Sequence, residues 1–144
     1  THRVIGHVLF RDDSGRILLV EPTYKQDWEL PGGVIEAGET PRLGAEREVL
    51  EETGLVIALA EPQVIDWMPP YLGWDDALEF VFDGGVLDDT QRAQLRPADG
   101  EIAALHWVLP TELDARVTAL SARRIRRLLD NPGSHYTEDG RELR

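Results

Sequence analysis

The chain has no cysteine, which excludes disulfides and every metal site built on thiolates. It has no apolar run near the roughly 18 residues needed to cross a bilayer, and it does not open on a charged-then-apolar leader. A cytoplasmic location is therefore expected. Cations are also scarce: 15 Lys and Arg stand against 27 Asp and Glu, a formal net charge of -12 over 144 residues. This balance argues against a membrane or a specific nucleic acid as partner, since both favour a basic surface. A small anionic ligand stays open, provided that local cations offset the field. No repeat, low-complexity tract or long linker divides the sequence, and its length suits one domain spanning 1–144. After Asn131-Pro132-Gly133 the residues turn polar, and 130–144 read as a loose tail.

β-Branched and aromatic residues fill "RVIGHVLFRD", a turn signal follows in "DDSGR", and "RILLVE" completes a hairpin over 3–21. Trp28 to Leu30 reads as a short strand stopped by Pro31 and the Gly32-Gly33 pair. A helix follows with clear punctuation: Thr40 as N-cap, Pro41 in the first turn and Gly54 just past the end. Residues 55–67, 77–83 and 102–109 read as strands. Residues 116–129 read as an amphipathic helix whose arginines at 123, 124, 126 and 127 form its solvent face. Strands mixed with two helices in this order predict an α/β sandwich around a mixed sheet.

The acidic charge is unevenly spread. Glu36, Glu39, Glu46, Glu48, Glu51 and Glu52 crowd into the short stretch from 32 to 55. At about 100° per helical residue, Glu48 and Glu52 lie roughly 40° apart around the axis, with Glu51 about 60° to the other side. Three carboxylates thus share one edge at spacings where like charges repel. Arg47 can neutralise Glu51 at i, i+4, but not all three. A hard cation such as Mg2+ or Mn2+ would, because oxygen ligands without nearby His or Cys suit it. A solvated helix face is the other reading of "EREVLEE" taken alone.

The surrounding residues decide between them. Gly33, Glu39, Arg47-Glu48-Val49, Glu51-Glu52 and Gly54-Leu55 stand at the spacing GX5EX7REUXEEXGU, with U aliphatic. This segment resembles the signature box of the Nudix hydrolases at every specified position, nine constrained positions in residues 33–55. The resemblance implies an α/β/α sandwich with a mixed β-sheet, the box forming a loop–helix–loop. It also implies Mg2+-assisted attack of water on the pyrophosphate of a nucleoside diphosphate derivative, with Mn2+ as a possible substitute. Candidates are nucleoside triphosphates and nucleotide sugars or ADP-ribose. Carried onto this sequence, Glu51, Glu52 and the Gly32 carbonyl are the implied metal ligands. Glu48 is a further ligand or the base that orients water, and Arg47 holds a glutamate in place. Glu101, six residues before Trp107, matches a further carboxylate used by some members; Asp99 and Glu79 compete with it. A nucleotide sensor without catalysis is the alternative, and its mark would be a degraded box. A homodimer is a further expectation from the resemblance.

Substrate contacts fall outside the helix. Trp28, Lys25 and Gly33 flank or open the box, and Tyr71 and Trp74 stand in the Pro/Gly-rich "DWMPPYLGWDD". Aromatics there could stack a base, at roughly 1–3 kcal/mol each, or fill core. His7 and His106 read as packed strand residues.

Overall fold

A computed structural model describes residues 2–133 and 135–143. The hairpin forms first in the chain: β1 spans Arg3–Arg11 and β2 spans Ile17–Pro22. Asp12 builds the turn, its carboxylate accepting from the amides of Ser14 (3.0 Å) and Arg16 (2.8 Å). β3 (Gly32–Val34), α1 (Pro41–Thr53), β4 (Pro62–Met68), β5 (Ala77–Val86), α2 (Asp89–Gln94) and β6 (Ile102–Val108) follow. A 3-10 helix (Pro110–Ala115), α3 (Ala119–Asp130) and β7 (His135–Glu138) complete the order.

The sheet runs β6-β2-β1-β5-β4-β7, with β3 pairing β1. It is mixed: β1–β5 and β4–β7 are parallel, while β1–β2, β1–β3, β2–β6 and β4–β5 are antiparallel. Alternation along the strands divides the core. Val8, Phe10, Leu18 and Phe82 pack with Ala45 and Val49 of α1. Leu9, Leu19, Val64 and Val81 pack with Ile125 and Leu128 of α3 on the opposite face. The result is the expected α/β/α sandwich, each helix covering one apolar face.

Several expectations shift. The strand read at 28–30 is only a bridge from Val20 to Glu29; the strand proper is the Gly pair and Val34, laid on β1 from His7 to Ile5. Residues 55–61 are irregular, although Leu55 and Leu59 are buried and Glu46 accepts the Leu59 amide at 2.8 Å. The tail is not loose. β7 pairs with β4, Thr137 is fully buried, and its hydroxyl donates to Asp66 at 2.6 Å. Its polarity serves a buried carboxylate rather than solvent. The arginines also part company. Arg123 and Arg126 pair with Asp139 and Asp114 at the surface, but Arg124 is buried and donates to Asp66 at 2.6 Å.

Candidate active site

Helix α1 begins and ends as its sequence predicts. The Thr40 hydroxyl accepts the Leu43 amide at 3.1 Å, and Gly54, at φ +76°, donates to the Leu50 carbonyl at 2.9 Å. One edge of this helix faces β3. There Arg47 acts as a bracket. Its Nε and Nη2 grip both Glu39 oxygens at 3.0 and 2.7 Å, and its Nη1 donates to Glu48 (3.1 Å) and Glu51 (3.2 Å). Nη2 also donates to the Val34 carbonyl at 3.3 Å. A planar fork matches a carboxylate bidentately, so one side chain fastens the loop before the helix to three glutamates. Its hydrogen bonds hold the Glu39 carboxyl down at about 2.

The other contacts are made by glycines. A methyl group at Gly33 would stand 2.8 Å from the Glu48 carboxyl carbon, so that carboxylate lies directly on the strand. Gly32, at φ +146°, donates its amide to Glu52 Oε1 at 2.8 Å. Its N–H therefore meets the helix, and the carbonyl that the resemblance implies as a metal ligand is a separate atom of the same residue. Burial pushes the Glu48 carboxyl up, and pushes Glu52 up to about 7, against the pull of the Gly32 amide. Glu51 is exposed and bound to Arg47.

Glu101 stands at the entry to β6, within electrostatic reach of Glu48. The Ala98 amide donates to the Glu52 carbonyl at 3.1 Å, and Thr23 donates to the Gly100 and Glu101 carbonyls at 2.7 and 2.9 Å. These bonds fasten the strand entry beside the end of α1, and the Glu101 charge contributes to raising Glu48. Asp99 is exposed on the same loop. Glu79 is elsewhere: it is buried beneath the sheet against Arg124 and His7.

Lys25 pairs with Glu29. Trp28 is stacked on His106, with ring centroids 3.9 Å apart, and the Arg116 guanidinium lies 4.4 Å from the indole centroid. Its ring is thus packed against the protein's own side chains. Tyr71 and Trp74 pair across the β4–β5 turn, with Arg3 over the Trp74 ring. Ala77 pairs with Arg3 and Val81 with His7, so this turn opens at the Arg3 end of β1. Four residues at about 3.3 Å separate that end from His7, roughly 13 Å in all. The structure does not bring these aromatics to the acidic edge. The aromatic that stands there is Tyr24, which the sequence marked only as a loop residue beside Lys25. Its ring is largely exposed, but partial desolvation of the hydroxyl raises its phenol against the pull of Lys25, and the charges of Glu29, Glu52 and Glu101 add to that rise.

Among the described residues no three His, Asp or Glu side chains converge tightly enough to enclose a metal unaided. The donors still fit a hard dication. They are all oxygen, two of them carry raised pKa values that a cation would reverse, and Gly33 leaves room at Glu48. An ion that keeps several waters and takes phosphate oxygens needs only one or two protein carboxylates.

Comparison with known proteins bears on the family and the fold. The model of the NUDIX domain matches residues 1–129. The chain is 31% identical over 152 residues to a MutT-like protein of Streptomyces ambofaciens, covering 96% of this chain and 84% of that one. It is 35% identical over 107 residues to a putative 8-oxo-dGTP diphosphatase of Bacillus subtilis, covering 74% and 66%. Among solved structures, a NUDIX hydrolase from Nitrosomonas europaea superposes with a TM-score of 0.76 at 20% identity, over 96% of this chain and 78% of the other.

Proposed function

The chain belongs to the Nudix hydrolase family, and from that premise we propose that it is a Mg2+-dependent pyrophosphohydrolase of nucleoside diphosphate derivatives, with nucleoside triphosphates the favoured class. The observation that carries this reading is the acidic edge itself. Glu48 and Glu52 are raised by burial, and among the described residues the one cation hydrogen-bonded to the edge, Arg47, is shared among Glu39, Glu48 and Glu51. A diphosphate adds about two more negative charges, which such a pocket accepts only with metal present. Bound Mg2+ would supply Lewis-acid stabilisation of the charge developing on the phosphate and would activate water.

The protein's own residues do the rest. Glu52, Glu51, Glu101 and the Gly32 carbonyl would hold metal, and Glu48 would hold metal or orient the attacking water. Arg47 keeps Glu48 and Glu51 in register with the loop. Gly33 keeps the Glu48 carboxylate close to the strand where substrate enters, and Tyr24 and Lys25 border that entrance. The preference for a triphosphate is supported by the Bacillus subtilis relative named for 8-oxo-dGTP.

The test is incubation with Mg2+ and a panel of nucleoside triphosphates, nucleotide sugars and ADP-ribose, following nucleoside monophosphate release. Turnover that collapses in Glu52→Gln supports the reading. Tight binding without turnover would favour a sensor instead.

A further inference from the structure

One buried chain of charged side chains has no part in the reaction just described. Asp66 on β4 accepts from the Thr137 hydroxyl at 2.6 Å and the Gly140 amide at 2.9 Å, which ties down the C-terminal segment. Its other oxygen accepts from Arg124 Nε at 2.6 Å, and Arg124 Nη1 meets Glu79 Oε2 at 2.5 Å. Glu79 Oε1 in turn binds His7 Nδ1. A carboxylate only accepts, so Nδ1 carries the proton and the imidazole is fixed in orientation. Asp66, Glu79 and Arg124 are each at most 4% exposed.

The chain ends at the catalytic loop. His7 is the register partner of Gly32, and any atom added at Gly32 would come within 2.8 Å of His7 Cδ2. Gly32 is the residue whose amide holds Glu52. Gly32 rests on β1, where an added methyl would meet the Gly6 carbonyl at 2.0 Å, the His7 Cα at 2.7 Å and the imidazole at 2.8 Å; the ring is one side of that wall, and Glu79 fixes it at Nδ1 while Glu29 lies 3.9 Å from Nε2.

The fold alone does not call for such groups. Desolvating each ion costs several kcal/mol, and well-packed apolar residues of similar volume serve stability as well or better. Groups that orient metal ligands, by contrast, are worth roughly 10–100-fold in metal affinity or activity when removed. We infer that Glu79 is a positioning residue for the metal edge: anchored by Arg124, it holds His7 against Gly32 and so sets the place of the Glu52 carboxylate. The inference rests on the hydrolase reading for its consequence in turnover, but its effect on cation binding is independent of turnover.

The experiment measures Mn2+ affinity by calorimetry, and kcat and KM with Mg2+, for the parent, Glu79→Gln, His7→Leu and the double variant. Leu113→Ala, a buried apolar core site that is not a member of the charged chain, controls for lost stability. Each single variant is expected to weaken Mn2+ binding about tenfold or more. Its kcat should fall in step while KM stays within twofold. A residue that acts only through His7 adds nothing once His7 is gone, so the double variant should match His7→Leu. Mn2+ affinity within twofold of the parent in either single variant overturns the inference. So does a double variant whose loss is the product of the singles, or a Leu113→Ala protein that loses as much affinity. If Glu79→Gln does not fold, His7→Leu, which leaves the Glu79–Arg124 pair intact, decides by the same threshold. A parent that binds Mn2+ without turnover sinks the hydrolase reading and leaves this one to the affinities. Normal turnover with unaffected variants does the reverse.

Discussion

Two neighbouring glycines should fail in different ways when given a methyl group. In Gly33→Ala the new carbon would stand 2.8 Å from the Glu48 carboxyl carbon and 2.9 Å from one of its oxygens. Ordinary carbon contacts lie near 3.5–4.0 Å, so something must yield by about 1 Å. What stands in the way is the free end of a flexible side chain, and it yields more readily than the strand. Added bulk costs some stability, while replacing glycine at an accessible φ restores some, so the net change should stay within about 1 kcal/mol. The displaced carboxylate, however, is one on which the reaction is proposed to depend. A misplacement of about 1 Å can cost on the order of 100-fold in rate. In Gly32→Ala the methyl would stand 2.0 Å from the Gly6 carbonyl oxygen, at φ +146°. No flexible group can move there, and the loss should reach about 3 kcal/mol or more. Thermal unfolding alongside steady-state hydrolysis separates the cases. A well-folded Gly33→Ala protein with kcat within twofold of the parent would refute the placement of Glu48 in catalysis.

Further outcomes follow from the same geometry. Glu52 is raised by burial from its ordinary 4.5 to about 7, so its contribution to stability is full below pH 4.5 and is lost as pH rises through 7. The metal-free protein should lose about 3 kcal/mol over that window at 1.36 kcal/mol per unit; denaturant titrations at pH 5 and 8 should show the loss, and Glu52→Gln should lack it. Tyr24→Ala should raise KM about 5- to 160-fold if the exposed ring stacks the base at roughly 1–3 kcal/mol. Trp74→Ala, at the far end of β1, should leave KM within twofold. Arg124→Ala strands two buried carboxylates and should cost about 3–5 kcal/mol by urea unfolding, against about 1–2 kcal/mol for Thr137→Val, which removes one hydrogen bond.

What could be read from the chain without coordinates was local. The spacing from Gly33 to Leu55 specified the loop, the helix and its acidic edge, because a capped helix translates sequence separation directly into angle. The hairpin was legible for the same reason, its turn being built by Asp12 on residues two and four away. The rest depended on partners far along the chain. Arg124 shares the buried stripe of Ala122, Ile125 and Leu128, yet its charge reads as solvent because Asp66 and Glu79 lie 58 and 45 residues away. The segment after Gly133 looks loose for the same reason, since its polar groups answer a carboxylate on another strand. The packing of Trp28 depends on β2–β6 pairing and on the turn after the 3-10 helix, which bring His106 and Arg116 to its ring. Glu101 is a candidate only through the resemblance; the bonds of Thr23 and Ala98 hold its backbone beside the end of α1.

Calorimetric titration of the parent and of Glu52→Gln with Mg2+ or Mn2+, in the presence of a non-hydrolysable nucleoside triphosphate, tests the acidic edge most directly. Uptake by the parent that falls at least tenfold in the variant is the predicted result. No uptake by the parent, or equal uptake by both proteins, would contradict it.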